Sequence, residues 1–283
     1  KSCYNNAPQA LCDCLRKEFR KVEIVLLSGL PRTGSTLLQN ILVQNTKIHA
    51  EGNSGLCQIM WDSKISCEQN AAQQLIGVGK DVSFKVDFLK KIPSIYYPDS
   101  AGKIVFDKCR RWVNTENICM ARKYIAKDVK AIVMVRPIEE IVASFARVSA
   151  QNNRPPKYKS LLLDESSEFL RDIHATYTAL NSENPNFLFI SYGDLVTDTE
   201  KTLSRIYKHI GADRFIHNTQ HCVQTVFEDD KRNNMVGMHT IRPKIAHETN
   251  KVVLPDWVKD VCRNITDTFF GHNLLGKVNG NKT

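Results

Sequence analysis

The chain has 283 residues, a formal net charge of +9, 42% hydrophobic and 24% charged residues. That is the composition of a soluble globular protein with a substantial core, and a net positive charge suits an anionic ligand, a nucleic acid or an acidic membrane surface. No apolar run approaches ~20 residues, which excludes a transmembrane helix, and the absence of basic blocks and aromatic–basic interleaving points away from nucleic acid. In chain order, residues 8–21 are predicted as a short polar helix. Ile24–Leu27 is an apolar run without alternation, the mark of a strand buried on both faces of a parallel sheet. Leu37, Leu38, Ile41 and Leu42 then recur at helical spacing. A short strand is expected at Lys47–Ala50, a helix face at Leu56, Ile59, Met60 and Trp61, and an amphipathic helix over 68–99 closed by Pro93 and Tyr96-Tyr97-Pro98. Further strands are expected at Lys103–Phe106, Ala131–Val135 and Phe187–Ile190, and helices over about 114–127, 138–148, 165–182 and 198–210. Residues 151–160 and 225–247 read as polar loops, the first of them a flexible one. A last helix runs from Asp256-Trp257 to Phe269-Phe270. Strands alternating with helices predict a three-layer αβα domain with a central, mostly parallel sheet of about five strands. One domain is expected over 1–283, with its core at about 22–245 and a C-terminal helical segment at about 250–275.

The stretch between the first strand and its helix is SGLPRTGST. Gly29 and Gly34 have four residues between them, and Ser35-Thr36 follow, where a nucleotide-binding P-loop has Lys and then Ser/Thr. A strand, tight loop and helix aim backbone N–H groups and a helix N-terminus at one point, which favours an anion. The plain alternative is an ordinary βα turn. Two further segments sit where strands end and ligands bind in open α/β sheets. One is Asp107-Lys108-Cys109-Arg110-Arg111-Trp112. The other is Val135-Arg136-Pro137, followed eight residues after Arg136 by Ser144. On that helix Ile138, Ile141, Val142, Phe145 and Val148 form the buried stripe, and Arg147 faces away from it.

LPRTGSTLL resembles the 5′-phosphosulfate loop of sulfotransferases that use 3′-phosphoadenosine 5′-phosphosulfate (PAPS). The resemblance implies cofactor contacts from Arg32, Thr33, Gly34, Ser35 and Thr36. It also implies that Arg136 and Ser144 hold the 3′-phosphate, a role that suits an Arg fork and a neutral hydroxyl donor. SYGDLV is similar to the family's Tyr-Glu-Asp-Leu stretch, with Gly193 in place of the Glu, and makes Tyr192 a candidate near the nucleotide. The family's late Arg-Lys-Gly loop has no counterpart; Lys231-Arg232 and His239-Thr-Ile-Arg242-Pro lie in its region, and Arg242 is the preferred candidate. The likeness covers about residues 22–245.

By that resemblance the activity is in-line sulfuryl transfer from PAPS to a hydroxyl or amine, without metal, releasing adenosine 3′,5′-bisphosphate. Charge on the leaving group would be stabilised by Arg32, the loop N–H groups, Ser35 and Thr36. The branch that resembles tyrosylprotein sulfotransferases makes Glu51 the base and Lys108 the stabiliser of the bridging oxygen, with Asp107 and His49 as rivals. A divergent P-loop nucleotide kinase and a non-catalytic nucleotide-binding module are the competing readings. Small-molecule, carbohydrate and peptide acceptors all stay open, as does the oligomeric state. Nine irregularly spaced cysteines without a CxxC pair, and no apolar leader in the first residues, read as a cytoplasmic protein with mostly reduced thiols. The Asn264 and Asn281 sequons, and a start at Lys1, keep a secretory lumen open.

Overall fold

A computed structural model describes residues 22–69, 83–232, 234–246, 252–271 and 274. The helix expected at 8–21 and the middle of the one expected at 68–99 lie outside these residues. Five strands form one sheet: β1 (Glu23–Gly29), β2 (Ile48–His49), β3 (Ile104–Lys108), β4 (Ala131–Val135) and β5 (Phe187–Ser191). Their order is β2-β3-β1-β4-β5, and every pairing is parallel. The helices are α1 (Ser35–Leu42), α2 (Leu56–Gln69), α3 (Ser83–Tyr96), α4 (Thr115–Tyr124), α5 (Ile138–Gln151), α6 (Tyr158–Leu162), α7 (Glu168–Asn181), α8 (Tyr192–Thr197), α9 (Thr199–Ile210) and α10 (Asp256–Phe270).

The strand sequences lack polar alternation because both faces are covered. Ile24 and Leu26 of β1 pack with Val105, Val133 and Val135 under α2–α5, α7 and α10. Val25 and Leu27 point the other way, with Phe106, Ile132, Met134 and Ile190, against α1, α8 and α9. Two apolar layers on opposite faces make the three-layer αβα arrangement expected from the alternation of elements. With all strands parallel, Gly29, Lys108, Val135 and Ser191 end at one edge of the sheet. β1 is the switch point, since the chain leaves it toward β2 on one side and later crosses to β4 on the other.

Three local expectations are corrected. Pro93 does not close a helix; it lies inside α3, and its carbonyl still accepts the Tyr97 N–H at 3.0 Å. Strand β3 runs two residues beyond Phe106, so Asp107 and Lys108 belong to the sheet rather than to the loop after it. The polar loop expected at 151–160 is helical from Tyr158 on, in α6, and Tyr158 is anchored edge-on to Trp257, ring centroids 6.1 Å apart.

The turn out of β1 needs a glycine. Gly29 has φ 116°, and a Cβ there would collide with the Met134 carbonyl oxygen and backbone nitrogen of the adjacent strand. Gly29→Ala is therefore expected to destabilise the fold by about 2–4 kcal/mol, since strained backbone and overpacking both apply. Urea unfolding followed by circular dichroism checks this.

Candidate active site

Residues 30–34 wrap the edge of the sheet between β1 and α1. Two of them take left-handed conformations: Arg32 at φ 59° and Gly34 at φ 82°. A Cβ on Gly34 would press on the Tyr192 ring at 2.8 Å, so a glycine lets this ring seat against the loop. Thr33 Oγ1 donates to Leu30 O at 2.8 Å and stiffens the turn from inside. Gly34 caps α1 without a side-chain hydrogen bond, and the first turn carries no acid. The positive end of the helix is thus presented to the cavity beside it rather than neutralised by the chain itself.

That cavity, about 420 Å³, is lined by the loop and by Lys108, Arg110, Arg136, Ser144, Arg147, Tyr192, His239 and Arg242. It therefore gathers the residues expected to hold the cofactor from Arg32 to Thr36, the Arg136/Ser144 pair, Tyr192 and Arg242; Thr33 supports from behind, fully buried. Arg32 Nε donates to Ser144 Oγ at 3.1 Å, and its Nη1 donates to Met238 O on the late loop. Arg136 Nη1 donates to Arg32 O at 3.1 Å, its Nε to Glu140 at 2.9 Å, and its guanidinium lies 4.1 Å over the Tyr192 ring. The rigid fork of Arg136 is thereby held by a carbonyl, a carboxylate and an aromatic face. Burial, and then the nearby Arg147 and Arg136 charges, push the Arg32 guanidinium down to about 10. Arg147 faces away from the apolar stripe of α5, and that direction is the cavity. Like charges in one pocket disfavour each other, so the site is tuned to receive an anion.

Lys108, at the end of β3, is buried. Its Nζ lies 3.2 Å from Thr36 Oγ1 and pairs with Glu228 Oε1 at 2.5 Å. Glu228 also accepts from Thr36 Oγ1 at 3.0 Å and from Asn53 Nδ2. Behind it stands His239, whose Nε2 is 3.3 Å from Glu228 Oε2 and whose Nδ1 is 2.5 Å from Asp230 Oδ1. Burial pushes Lys108 below its ordinary value, against the opposing pull of Glu228. Burial works to raise the Glu228 carboxyl, but the Lys108 and His239 charges outweigh it and hold the carboxyl below the usual range. His239 is lowered, chiefly by burial, against the Glu228 carboxylate.

The three remaining base candidates sit elsewhere. Glu51 has a 55% exposed side chain and pairs with His49 at 2.7 Å, and neither lines the cavity. Asp107 is fully buried and accepts from Ser54, Tyr97 and Trp112, each at 2.6 Å. Burial raises its carboxyl, and these three donors oppose that. They bind the strand end to α2, α3 and the turn before α4. Sequence reasoning missed Glu228, Asp230 and the inward Arg147. Glu228 and Asp230 were visible only as acids in a polar loop, where nothing periodic marks the one that turns inward.

The sulfotransferase domain matches residues 23–267, and the chain belongs to that family. It is a sulfotransferase. Solved structures share the fold: the sulfotransferase domain of the olefin synthase of Synechococcus PCC 7002, at 15% identity and TM-score 0.53 over 90% of this chain and 97% of that one. The sulfotransferase domain of the curacin biosynthetic pathway matches at 16% identity and TM-score 0.52, over 88% and 97%. Mouse sulfotransferase SULT7A1, complexed with PAP, matches at 13% identity and TM-score 0.52, over 93% and 90%. No relative is found among curated protein sequences.

The two rival acids separate by stability. Asp107→Ala strips three donors, two of them buried, of their acceptor and is expected to destabilise the protein by about 3 kcal/mol or more. Glu51→Gln, at an exposed site, is expected to change stability by less than about 0.5 kcal/mol. Equilibrium denaturation of both variants reads the difference.

Proposed function

We propose that the chain transfers a sulfuryl group from PAPS to a hydroxyl or amine acceptor. The observation that carries this is the convergence of Arg32, Arg136, Arg147 and Lys108 on one cavity beside an uncapped helix N-terminus. The donor is a polyanion with phosphates at both ends of a nucleoside, and the residues present fit such a group. When bound, it supplies an activated sulfuryl group on a 5′-phosphate leaving group. The α1 N–H groups, Arg32, Ser35 and Thr36 would hold the 5′ end, and Arg136 and Ser144 the 3′-phosphate. Tyr192, already stacked on Arg136, offers an aromatic face beside it. Arg242 lies on the late loop at the cavity wall and would close on the 3′ side. Lys108 stands at the inner end, next to Thr36, where negative charge on the bridging oxygen would develop. PAP bound to the mouse sulfotransferase of the same fold supports the choice of nucleotide. The carboxylate that takes the acceptor's proton has to reach the end of the cavity held by Lys108, and Glu51 pairs with His49 outside that cavity.

Calorimetry is expected to show adenosine 3′,5′-bisphosphate binding without magnesium and far more tightly than ATP. Equal affinity for ATP with a magnesium requirement would replace this reading with a nucleotide kinase. Arg136→Ala is expected to weaken the bisphosphate by about 2–4 kcal/mol, since a recognised phosphate loses its fork. Ser144→Ala should cost about 1 kcal/mol, the worth of one neutral hydrogen bond. Both losses should shrink with adenosine 5′-phosphate, which lacks the 3′ group.

A further inference from the structure

Glu228 is a buried carboxylate that no part of the cofactor reading uses. Its side chain is 5% exposed, yet it comes from the late loop, about 120 residues beyond Lys108 in sequence. Its carboxylate meets Lys108, Thr36 and Asn53 in front and His239 behind. All four of those neighbours, Thr36, Lys108, Asn53 and His239, line the cavity.

We propose that Glu228 is the general base of the sulfuryl transfer, held by Lys108 and released to the acceptor when the phosphosulfate takes Lys108 over. The inference rests on the PAPS reading. Lys108 can serve one anion fully at a time. Its Nζ is shared between the Glu228 carboxylate and the Thr36 hydroxyl, and Thr36 belongs to the loop that would hold the 5′ end. Once a cofactor anion claims the ammonium, the carboxylate loses its counter-ion and becomes a better proton acceptor. A buried carboxylate deprived of its cation is then best satisfied by an acceptor O–H or N–H.

The step balances without a further reactant. The acceptor oxygen forms its bond to sulfur while its proton passes to a Glu228 oxygen. The bond between sulfur and the 5′-phosphate oxygen breaks, and its electron pair leaves on adenosine 3′,5′-bisphosphate, next to Lys108. The proton has an onward path. His239 Nδ1 faces Asp230, which fixes the ring and directs Nε2 at Glu228. A neutral imidazole in that tautomer accepts the proton from the carboxylic acid, and Asp230 stabilises the imidazolium that forms. His239 and Asp230 are positioning residues in this scheme.

The test uses the full chain and two readouts. In calorimetry with adenosine 3′,5′-bisphosphate, Glu228→Gln should bind the nucleotide at least as tightly as wild type, and up to about tenfold more tightly, because a competing anion is gone from Lys108. In a second assay, nucleotide release from PAPS is followed with water, molar ethylene glycol and p-nitrophenol as acceptor probes. Glu228→Gln should lower the rate by about 10²- to 10⁴-fold, and Glu228→Asp should recover part of it. Nucleotide binding weakened in Glu228→Gln would make Glu228 part of the cofactor scaffold and overturn the proposal. Unchanged nucleotide release in Glu228→Gln, or none from wild type with any probe, would also overturn it. Failure of wild type to bind the bisphosphate at all would instead reject the PAPS reading itself.

Discussion

Positive charge is concentrated at one edge of the sheet, and the rest of the site follows from balancing it. Arg32, Lys108 and Arg136 come from the ends of three different strands and Arg147 from helix α5, yet they border one cavity. In water such a gathering costs little, but here Lys108 and Arg136 are buried and Arg32 is pushed down to about 10. The chain offsets the repulsion with what it has: the Glu140 carboxylate, the Met238 carbonyl, the Ser144 hydroxyl and Glu228. Under the proposed reading, a nucleotide with two phosphate groups would offer these cations more and stronger partners.

The parallel sheet makes this convergence possible. A parallel sheet puts every strand's carboxyl end on the same side, so short loops after β1, β3 and β4 meet there without long connections. The same arrangement sets the glycine requirements. Gly29 lets β1 turn against Met134 of β4, and Gly34 lets the loop lie on Tyr192, which follows β5. Tyr192 in turn carries Arg136. Two missing Cβ atoms thus connect the turn after β1 to Tyr192 and Arg136 on the far side of the cavity.

Much of the architecture is legible in the sequence because burial on both faces leaves a strong mark. Ala131–Val135 is fully buried and was bounded to the residue. The first loop is legible for a different reason: its glycines, hydroxyls and single cation stand at fixed offsets between a strand and a helix. What could not be read depends on long-range side-chain contacts. Lys108 is a strand residue because β3 keeps pairing with β1 through Leu27, which a four-residue apolar run does not show. Asp107 is structural because Tyr97 and Trp112, from two different segments, close on it. Glu51 follows β2, and only the structure shows that its side chain turns to His49 and solvent.

The late loop is where sequence says least and structure most. Its described residues between 212 and 246 form no helix or strand, so no periodicity marks it. Its shape is set by side-chain amides that stand in for a backbone ladder. Asn40 on α1 accepts from Thr225 N and Val226 N at 2.6 and 2.8 Å. Asn152 at the end of α5 exchanges two hydrogen bonds with Val236, and Gln224 does the same across the loop with His239 O and Ile241 N. Each clamp is a few hydrogen bonds, of about 1 kcal/mol apiece. The loop therefore meets the rigid sheet edge through contacts that a strong anionic ligand can outweigh, namely Arg32 to Met238 O and Lys108 to Glu228. Under the proposed reading, a segment tied to the sheet edge by the same cations that face the cavity would sense occupancy directly: an anion that took those cations would loosen the loop's own hold on them. That coupling needs no hinge and no second site, only one set of positive charges shared between a ligand and a loop.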